Sequence, residues 1–319
     1  MSNTANKKNK IAILGGHGFI GSWLVNLLKS DYDVAIFDLK KQLSNYNPSR
    51  VRKVLNFRKE LSNGSRQYNG DVRDLKQVKE FINKERPQII VCLSSVPLEG
   101  GGVSKSYQLS TEVMGISNIL EANETLGARV VYMSSLFAIG HFDHATTESV
   151  PLEPRTNYGI GKATGEHLVK SYSNNYAIIR TTSVYGPGDI NNRVPQVIIE
   201  GAILGNGEKF WINKAALLDF IYVKDLVRGI KDVMFYNGNG VFNISGGRAI
   251  PLTDFVNAVE ASTGKKLNYE VRSVEDRTRR GTLVNDKARL VLNWEPQFDL
   301  MSGVKETISI YKEKIKIKN

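Results

Sequence analysis

Lys10-Ile-Ala-Ile-Leu-Gly-Gly-His-Gly-Phe-Ile-Gly-Ser-Trp-Leu-Val-Asn-Leu-Leu28 is a short apolar run, then four glycines within seven residues, then apolar positions at helical spacing. That order reads as strand, tight turn and helix. Gly15 or Gly16 permits the sharp turn, Gly18 lets a pyrophosphate approach bare backbone, and Gly21 lets the helix pack close to the strand. Phe19 and Ile20 open the helix, where unpaired backbone N–H groups and the helix dipole favour negative charge. The implied ligand is a dinucleotide.

Twenty residues beyond Gly18, Asp38 closes a second apolar run, Val34-Ala-Ile-Phe37. A carboxylate at the end of the second strand can accept hydrogen bonds from the adenosine ribose hydroxyls, and it repels a 2′-phosphate. This favours NAD over NADP. Leu39, Lys40 and Lys41 follow directly, and the lysines soften that repulsion. Leu39 and Lys40 join Gly15, Gly18, Phe19, Ile20, Gly21 and Asp38 as expected cofactor contacts.

Further along, a basic helix is expected near 51–61. Gln67-Tyr-Asn-Gly70 leads into Asp71-Val-Arg-Asp74, read as a third strand ending in a polar turn before a helix over 75–83. Asp71 and Val72 are placed to meet the adenine, and Asp74 reads as a helix cap. Pro87 to Pro97 is the apolar run of a strand buried on both faces. Its end, Leu93, Ser94 and Ser95, falls where a cofactor passes, because ligands lie beyond the carboxyl ends of strands in open α/β sheets. An amphipathic helix over about 105–126 follows, then the strand Arg129-Val-Val-Tyr-Met133 and Ser134-Ser135. Tyr158 and Lys162, four residues apart, share one face of the next helix. Tyr176 to Arg180 is one more strand.

This alternation predicts an α/β fold, a Rossmann-like doubly wound parallel sheet. From Thr181 onward shorter strands and helices suggest a smaller, mixed α/β C-terminal substrate lobe. The expected division is a cofactor domain over 1–180, with 219–236 returning to it, and a substrate lobe over 181–319.

At 319 residues, one large or two intimate domains are expected. The 41% hydrophobic and 24% charged content is that of a soluble globular protein. Cys92 is the single cysteine, which excludes an internal disulfide and fits a reducing compartment. The polar start is not a secretory signal and no run spans a membrane, so the cytoplasm is expected. The net charge of +11 is spread over unrelated segments interleaved with acids, which reads as solvated faces rather than a nucleic-acid surface. His141 and His144 form an isolated H-x-x-H without further Cys or His nearby, so no metal is expected.

The ordered set Gly15-Gly-His-Gly-Phe-Ile-Gly21, Asp38, Gly70-Asp-Val72, Ser134-Ser135, Tyr158 with Lys162, Arg180-Thr-Thr-Ser-Val-Tyr-Gly-Pro187 and Asp219-Phe-Ile-Tyr-Val-Lys-Asp225 resembles the extended short-chain dehydrogenase/reductase superfamily. Within it, the chain resembles the NAD-dependent epimerase/dehydratase group acting on sugar nucleotides. The resemblance runs from residue 11 to about residue 312. It implies Ser135, Tyr158 and Lys162 as catalytic residues, NAD as cofactor and a homodimer formed through helices near 105–126 and 157–173. It also suggests a place in surface polysaccharide biosynthesis.

The chemistry stands beside the resemblance. Oxidising a secondary alcohol by hydride transfer needs a base for the hydroxyl proton and an acceptor for the hydride. A phenol is only about 0.1% ionised at pH 7, so a tyrosine base needs positive charge nearby. Tyr158 is the expected base. Lys162 is its electrostatic partner and holds the nicotinamide ribose, and Ser135 hydrogen-bonds the reacting oxygen. With 13 tyrosines in the chain, roughly one Tyr-x-x-x-Lys arises by chance, so position after the fifth strand decides the reading.

Departures from the family pattern narrow the reaction. Leu136-Phe137 follow Ser135 where sugar-nucleotide 4,6-dehydratases carry an Asp-Glu pair and related decarboxylases a Glu. Epimerisation or simple oxidation remains, with C4 of the sugar as the expected centre. An epimerase working through a keto intermediate is the leading reading. A dehydrogenase releasing the keto sugar is the alternative, and a cofactor-binding sensor without turnover a distant one. Glu112 takes the place of an asparagine that helps hold the cofactor region. Ser183 stands where an asparagine often binds the sugar nucleotide, and Leu218 where an arginine is common. Arg193, Arg279 and Arg280 are further candidates for the substrate's diphosphate.

Overall fold

A computed structural model describes residues 8–40, 48–96, 103–191, 193–204, 209–273 and 281–316. Strand and helix alternate from the start: β1 (Lys10–Leu14), α1 (Phe19–Leu28), β2 (Asp33–Asp38), α2 (Pro48–Leu61), β3 (Arg66–Asn69), α3 (Leu75–Glu85) and β4 (Ile89–Cys92). Next come α4 (Lys105–Leu109), α5 (Gly115–Asn123), β5 (Arg129–Met133), α6 (Leu136–Ile139), α7 (Asn157–Tyr172) and β6 (Tyr176–Thr181). The remainder holds β7 (Ser183–Tyr185), α8 (Val194–Leu204), β8 (Phe210–Asn213), β9 (Leu217–Tyr222), α9 (Val223–Phe235) and β10 (Gly240–Ile244). It closes with β11 (Ala249–Pro251), α10 (Leu252–Thr263), β12 (Tyr269–Arg272), α11 (Asp286–Leu292) and α12 (Leu300–Ile310).

β1 lies inside a seven-stranded sheet of order β10-β6-β5-β4-β1-β2-β3. Every pairing in it is parallel. The order reverses between β1 and β4, and a crevice opens at such a switch point. Alternation along β1 sends Ile11 and Ile13 to one face, with Leu24, Leu226 and Ile230, and Ala12 and Leu14 to the other, with Val78, Ile82, Ile119 and Val169. β4 and β5 are buried at every position, as helices on both faces require.

Two local expectations need correction. The third strand occupies 66–69, and Asp71–Asp74 is the turn after it, with Asp74 capping α3 through Gln77 N. The helix expected over 105–126 is interrupted by a π-helical stretch, Ser110–Met114, between α4 and α5.

The smaller part carries mixed pairing: β7 runs parallel and β11 antiparallel to β9, and β8 pairs in parallel with β12. The return expected over 219–236 is made by α9 and then β10, which pairs with β6, while residues 217–222 stay in the small sheet. The two parts are stitched by side chains of the first reaching carbonyls of the second. Trp23 Nε1 donates to Pro187 O at 2.8 Å and Arg58 Nε to Gly188 O at 2.6 Å.

Candidate active site

A cavity of about 440 Å³ opens along the carboxyl ends of the large sheet. The turns after β1 to β6 all contribute to it: Gly15, Gly18 and Phe19–Gly21; Asp38 and Leu39; Asp71 and Val72; Leu93, Ser94 and Ser95; Ser135; and Thr181 to Ser183. Tyr158 and Lys162 reach it from α7, and Arg193 from the segment before α8. Of the expected site residues, Lys40 is exposed and outside the lining, because it follows the strand end by two residues and points to solvent. Arg279 and Arg280 lie outside the described residues.

At one end the backbone does the work. Gly15 has φ +90°, and a Cβ there would sit 2.6 Å from Ser94 N. A Cβ on Gly21 would meet Gly15 O at 2.2 Å, so bare backbone is what lets α1 begin against the turn. Gly18 is the N-cap of α1 and supplies no side-chain cap, leaving the first-turn N–H groups to an outside acceptor. The lining therefore suits a pyrophosphate. Asp38 braces the same turn, accepting from His17 N at 2.8 Å and from Leu39 N at 2.7 Å.

Asp71 is clasped by Arg73, whose guanidinium in turn lies 3.8 Å from the centre of the Tyr107 ring. Burial pushes the Asp71 carboxyl up, but the hydrogen bonds from Arg73 outweigh it and hold the group below its ordinary value.

The other end is a buried network. Ser135 caps α6 by accepting from Phe137 N at 3.3 Å. Beside it, Ser134 Oγ donates to Glu166 at 2.6 Å, and Glu166 takes a two-pronged bond from Arg180, both at 2.9 Å. Tyr158 lies in the first turn of α7, which Thr156 caps through Gly159 N, and its ring meets Phe137 edge-on at 5.7 Å.

Lys162, one turn on, is 1% exposed. Its Nζ donates to Met133 O at 3.0 Å, lies 5.5 Å from the Tyr158 ring centre and pairs with Glu112 Oε2 at 3.0 Å. Burial alone would lower the Lys162 ammonium, but the Glu112 carboxylate, with Tyr132 and Tyr158, more than reverses it, so the group stays charged well above its usual range.

On the far wall, Ser183 and Leu218 line the cavity. Arg193 does too, but its guanidinium is held by the buried Asp189, through Nε at 2.8 Å and NH2 at 2.5 Å. Arg58 is a lining residue that the sequence reading grouped with solvated charge. Burial pushes its guanidinium down to about 10, against the pull of Asp189 and Asp38. A signal was present: Val54, Phe57, Arg58 and Leu61 form the i, i+3, i+4, i+7 stripe of a buried helix face, and Arg58 is the polar member of it. Among the described residues, no group of three or more His, Cys, Asp or Glu is arranged to hold a metal ion. No helix among them is long and apolar enough to cross a membrane.

Comparison with known proteins fits this geometry. The model of the NAD dependent epimerase/dehydratase family matches residues 11–245. A putative UDP-glucose 4-epimerase of Methanocaldococcus jannaschii is 26% identical, covering 94% of this chain and 97% of its own. A UDP-glucose 4-epimerase of Mycolicibacterium smegmatis is 27% identical, over 95% and 98%. In fold, the Thermotoga maritima UDP-glucose 4-epimerase solved with UDP-glucose superposes with a TM-score of 0.80 at 24% identity, over 95% of this chain and 99% of that one. The dTDP-glucose 4,6-dehydratase of Bacillus anthracis, solved with NAD, gives 0.83 at 21%, over 97% and 98%. The chain belongs to the NAD dependent epimerase/dehydratase family, and NAD is its cofactor.

Proposed function

We propose that this family member oxidises a ring hydroxyl of a sugar nucleotide, at C4, and returns the hydride to the other face of the ketone, acting as an epimerase. The observation that carries the reading is the convergence of Ser135, Tyr158 and Lys162 on the cavity that the glycine turn also lines. Bound NAD supplies the hydride acceptor and, once reduced, the donor. Gly15, Gly18 and the start of α1 hold its pyrophosphate, Asp38 and Leu39 the adenosine ribose, Asp71 and Val72 the adenine side, and Leu93 to Ser95 the stretch between.

Tyr158 takes the hydroxyl proton as the C–H hydride leaves, and it gives the proton back when the alcohol re-forms. Ser135 hydrogen-bonds the reacting oxygen throughout, and Lys162 fixes the nicotinamide ribose. Leu136 and Phe137 offer no carboxyl group where dehydration needs one. Ser183 and Arg193 meet the sugar nucleotide from the smaller part of the chain, which makes the division near residue 180 one between cofactor and substrate. The single, buried Cys92 suits a cytoplasmic setting.

The site functions in a homodimer joined through the helices over 105–126 and 157–173. These helices carry Met114, Ile160 and Tyr172, which are 51%, 44% and 74% exposed in the single chain. Sedimentation of the protein at micromolar concentration should show dimers, and Ile160→Asp should release monomers.

The direct test is incubation with UDP- and dTDP-hexoses, UDP-glucose first, followed by NMR of the products. Interconversion of C4 epimers without net NADH is expected. Keto sugar accumulating with stoichiometric NADH makes the enzyme a dehydrogenase instead, and the absence of any hydride exchange overturns the reading.

A further inference from the structure

Glu112 is 2% exposed and sits on the π-helical turn between α4 and α5. Such turns carry one extra residue and occur at functional sites more often than elsewhere. Here the turn aims a carboxylate inward. Its Oε2 lies 3.0 Å from Lys162 Nζ, and its Oε1 accepts from Val96 N at 3.1 Å and from Ser95 Oγ. All three partners have protons to give, which suits an ionised carboxylate that only accepts. The approach is built into α7 as well, because a Cβ on Gly161 would stand 2.5 Å from Glu112 Cβ.

The charge around Lys162 can be summed element by element. Glu166, on α7, is matched by Arg180 at 2.9 Å, and the second cation near it, Lys170 at 3.7 Å, is 37% exposed and screened by solvent. Burial pushes the Tyr132 phenol on β5 and the Cys92 thiol on β4 upward, so both are neutral. Tyr158, one turn before Lys162 on the same helix face, is the reacting group itself and stands outside this sum. What remains is one ammonium and one carboxylate, which cancel.

We propose that Glu112 is a positioning residue that cancels the charge of Lys162 and ties the segment after β4 to it, so that the site favours the positively charged oxidised nicotinamide over the neutral reduced one. This rests on the reading that NAD occupies the cavity. A lone Lys162 cation would repel the oxidised ring and leave the reduced ring unaffected. With Glu112 in place, the electrostatic part expected of Lys162 passes to the oxidised nicotinamide, the uncompensated positive charge beside Tyr158, so the base is strongest when the hydride acceptor is in place.

The test equilibrates full-length protein with an equimolar mixture of NAD⁺ and NADH, then reads the retained ratio after denaturation. Each variant is made in a Tyr158→Phe background, so that neither phenol ionisation nor turnover alters the ratio. Glu112→Gln should lower the oxidised-to-reduced ratio roughly tenfold, as one unit charge in a partly screened interior does. Glu112→Asn serves the same purpose should the longer amide perturb folding. Glu112→Asp keeps the charge, and Glu112→Gln with Lys162→Met removes both charges, so each should hold the parent ratio within about twofold.

A merely structural role would weaken both cofactor forms alike. An unchanged ratio in the neutral variants, or an equal fall in the double variant, overturns the proposal while leaving the cofactor reading intact. Retention of neither form by the parent overturns both.

Discussion

The two ends of the cavity handle charge in opposite ways. At the glycine turn the recognising groups are partial charges, the N–H groups that open α1, together with the Asp38 carboxylate, and they face the ligand space. At the end of β5 the groups are full charges, Lys162 with Glu112 and Glu166 with Arg180, buried and satisfied by one another. The difference follows from their tasks. A phosphate can be met by fixed dipoles at a partly wet surface, whereas moving a proton and a hydride needs a dry site, where an unpaired charge costs several kcal/mol.

Each end can be broken separately. The largest effect should come from Tyr158→Phe, which removes the proposed base and should lower turnover by about 10²–10⁴-fold while leaving NAD retention unchanged. Full turnover in that variant would remove Tyr158 from its role. Next in size is Glu166→Gln, which leaves Arg180, 2% exposed, without its counter-charge. Urea unfolding should show a loss of about 3–5 kcal/mol, and a loss below about 1 kcal/mol would mean that water enters this end.

Asp38→Asn acts at the other end and is smaller. It removes the charged acceptor of His17 N and the one proposed for the ribose, and calorimetry should show NAD binding roughly tenfold weaker, with NADP gaining relative to it. Equal loss for both cofactors would make Asp38 a brace for the turn alone.

The smallest effect is an expected silence. Burial pushes the Cys92 thiol up to about 12, so in the folded protein it stays protonated until far above neutral pH. Because the native state holds this proton more tightly than the unfolded chain, the group's contribution to stability is lost only as pH rises from about 9 toward 12. A thiol reagent at pH 8 should therefore leave Cys92 unmodified until urea unfolds the chain. Rapid labelling of native protein would show that the floor of the catalytic end is open.

Much of the recognition end was legible because its causes are local. The strand, turn and helix of residues 10–28 are specified by neighbours within a few positions, and Asp38 by its place at the end of an apolar run. The slip of the third strand has a physical reason: 66–69 carries three exposed residues and the half-buried Tyr68, because β3 is an edge strand, so no apolar run marks it. Asp71-Val-Arg-Asp74 is the turn that follows it, Asp71 serving Arg73 and Asp74 capping α3 as expected.

The chemical end was legible in its members and not in their pairing. Glu112 stood out as a departure from the family pattern, but nothing near it in the chain says that a π-helical turn brings it to Lys162, fifty residues later. Two other charges carried local signals: Arg193 pairs with Asp189 only four residues before it, and Arg58 sits on the apolar stripe by which α2 turns it inward.

By itself the sequence determined the parallel α/β alternation, the dinucleotide turn and the residue types that carry hydride chemistry. Each of these follows from short-range periodicity, from glycine spacing or from the chemistry of single side chains. Tertiary structure alone decided which charges cancel and which remain available to a ligand. Coulomb interaction depends on distance and on the depth of burial, and both are set only when segments from distant parts of the chain pack together.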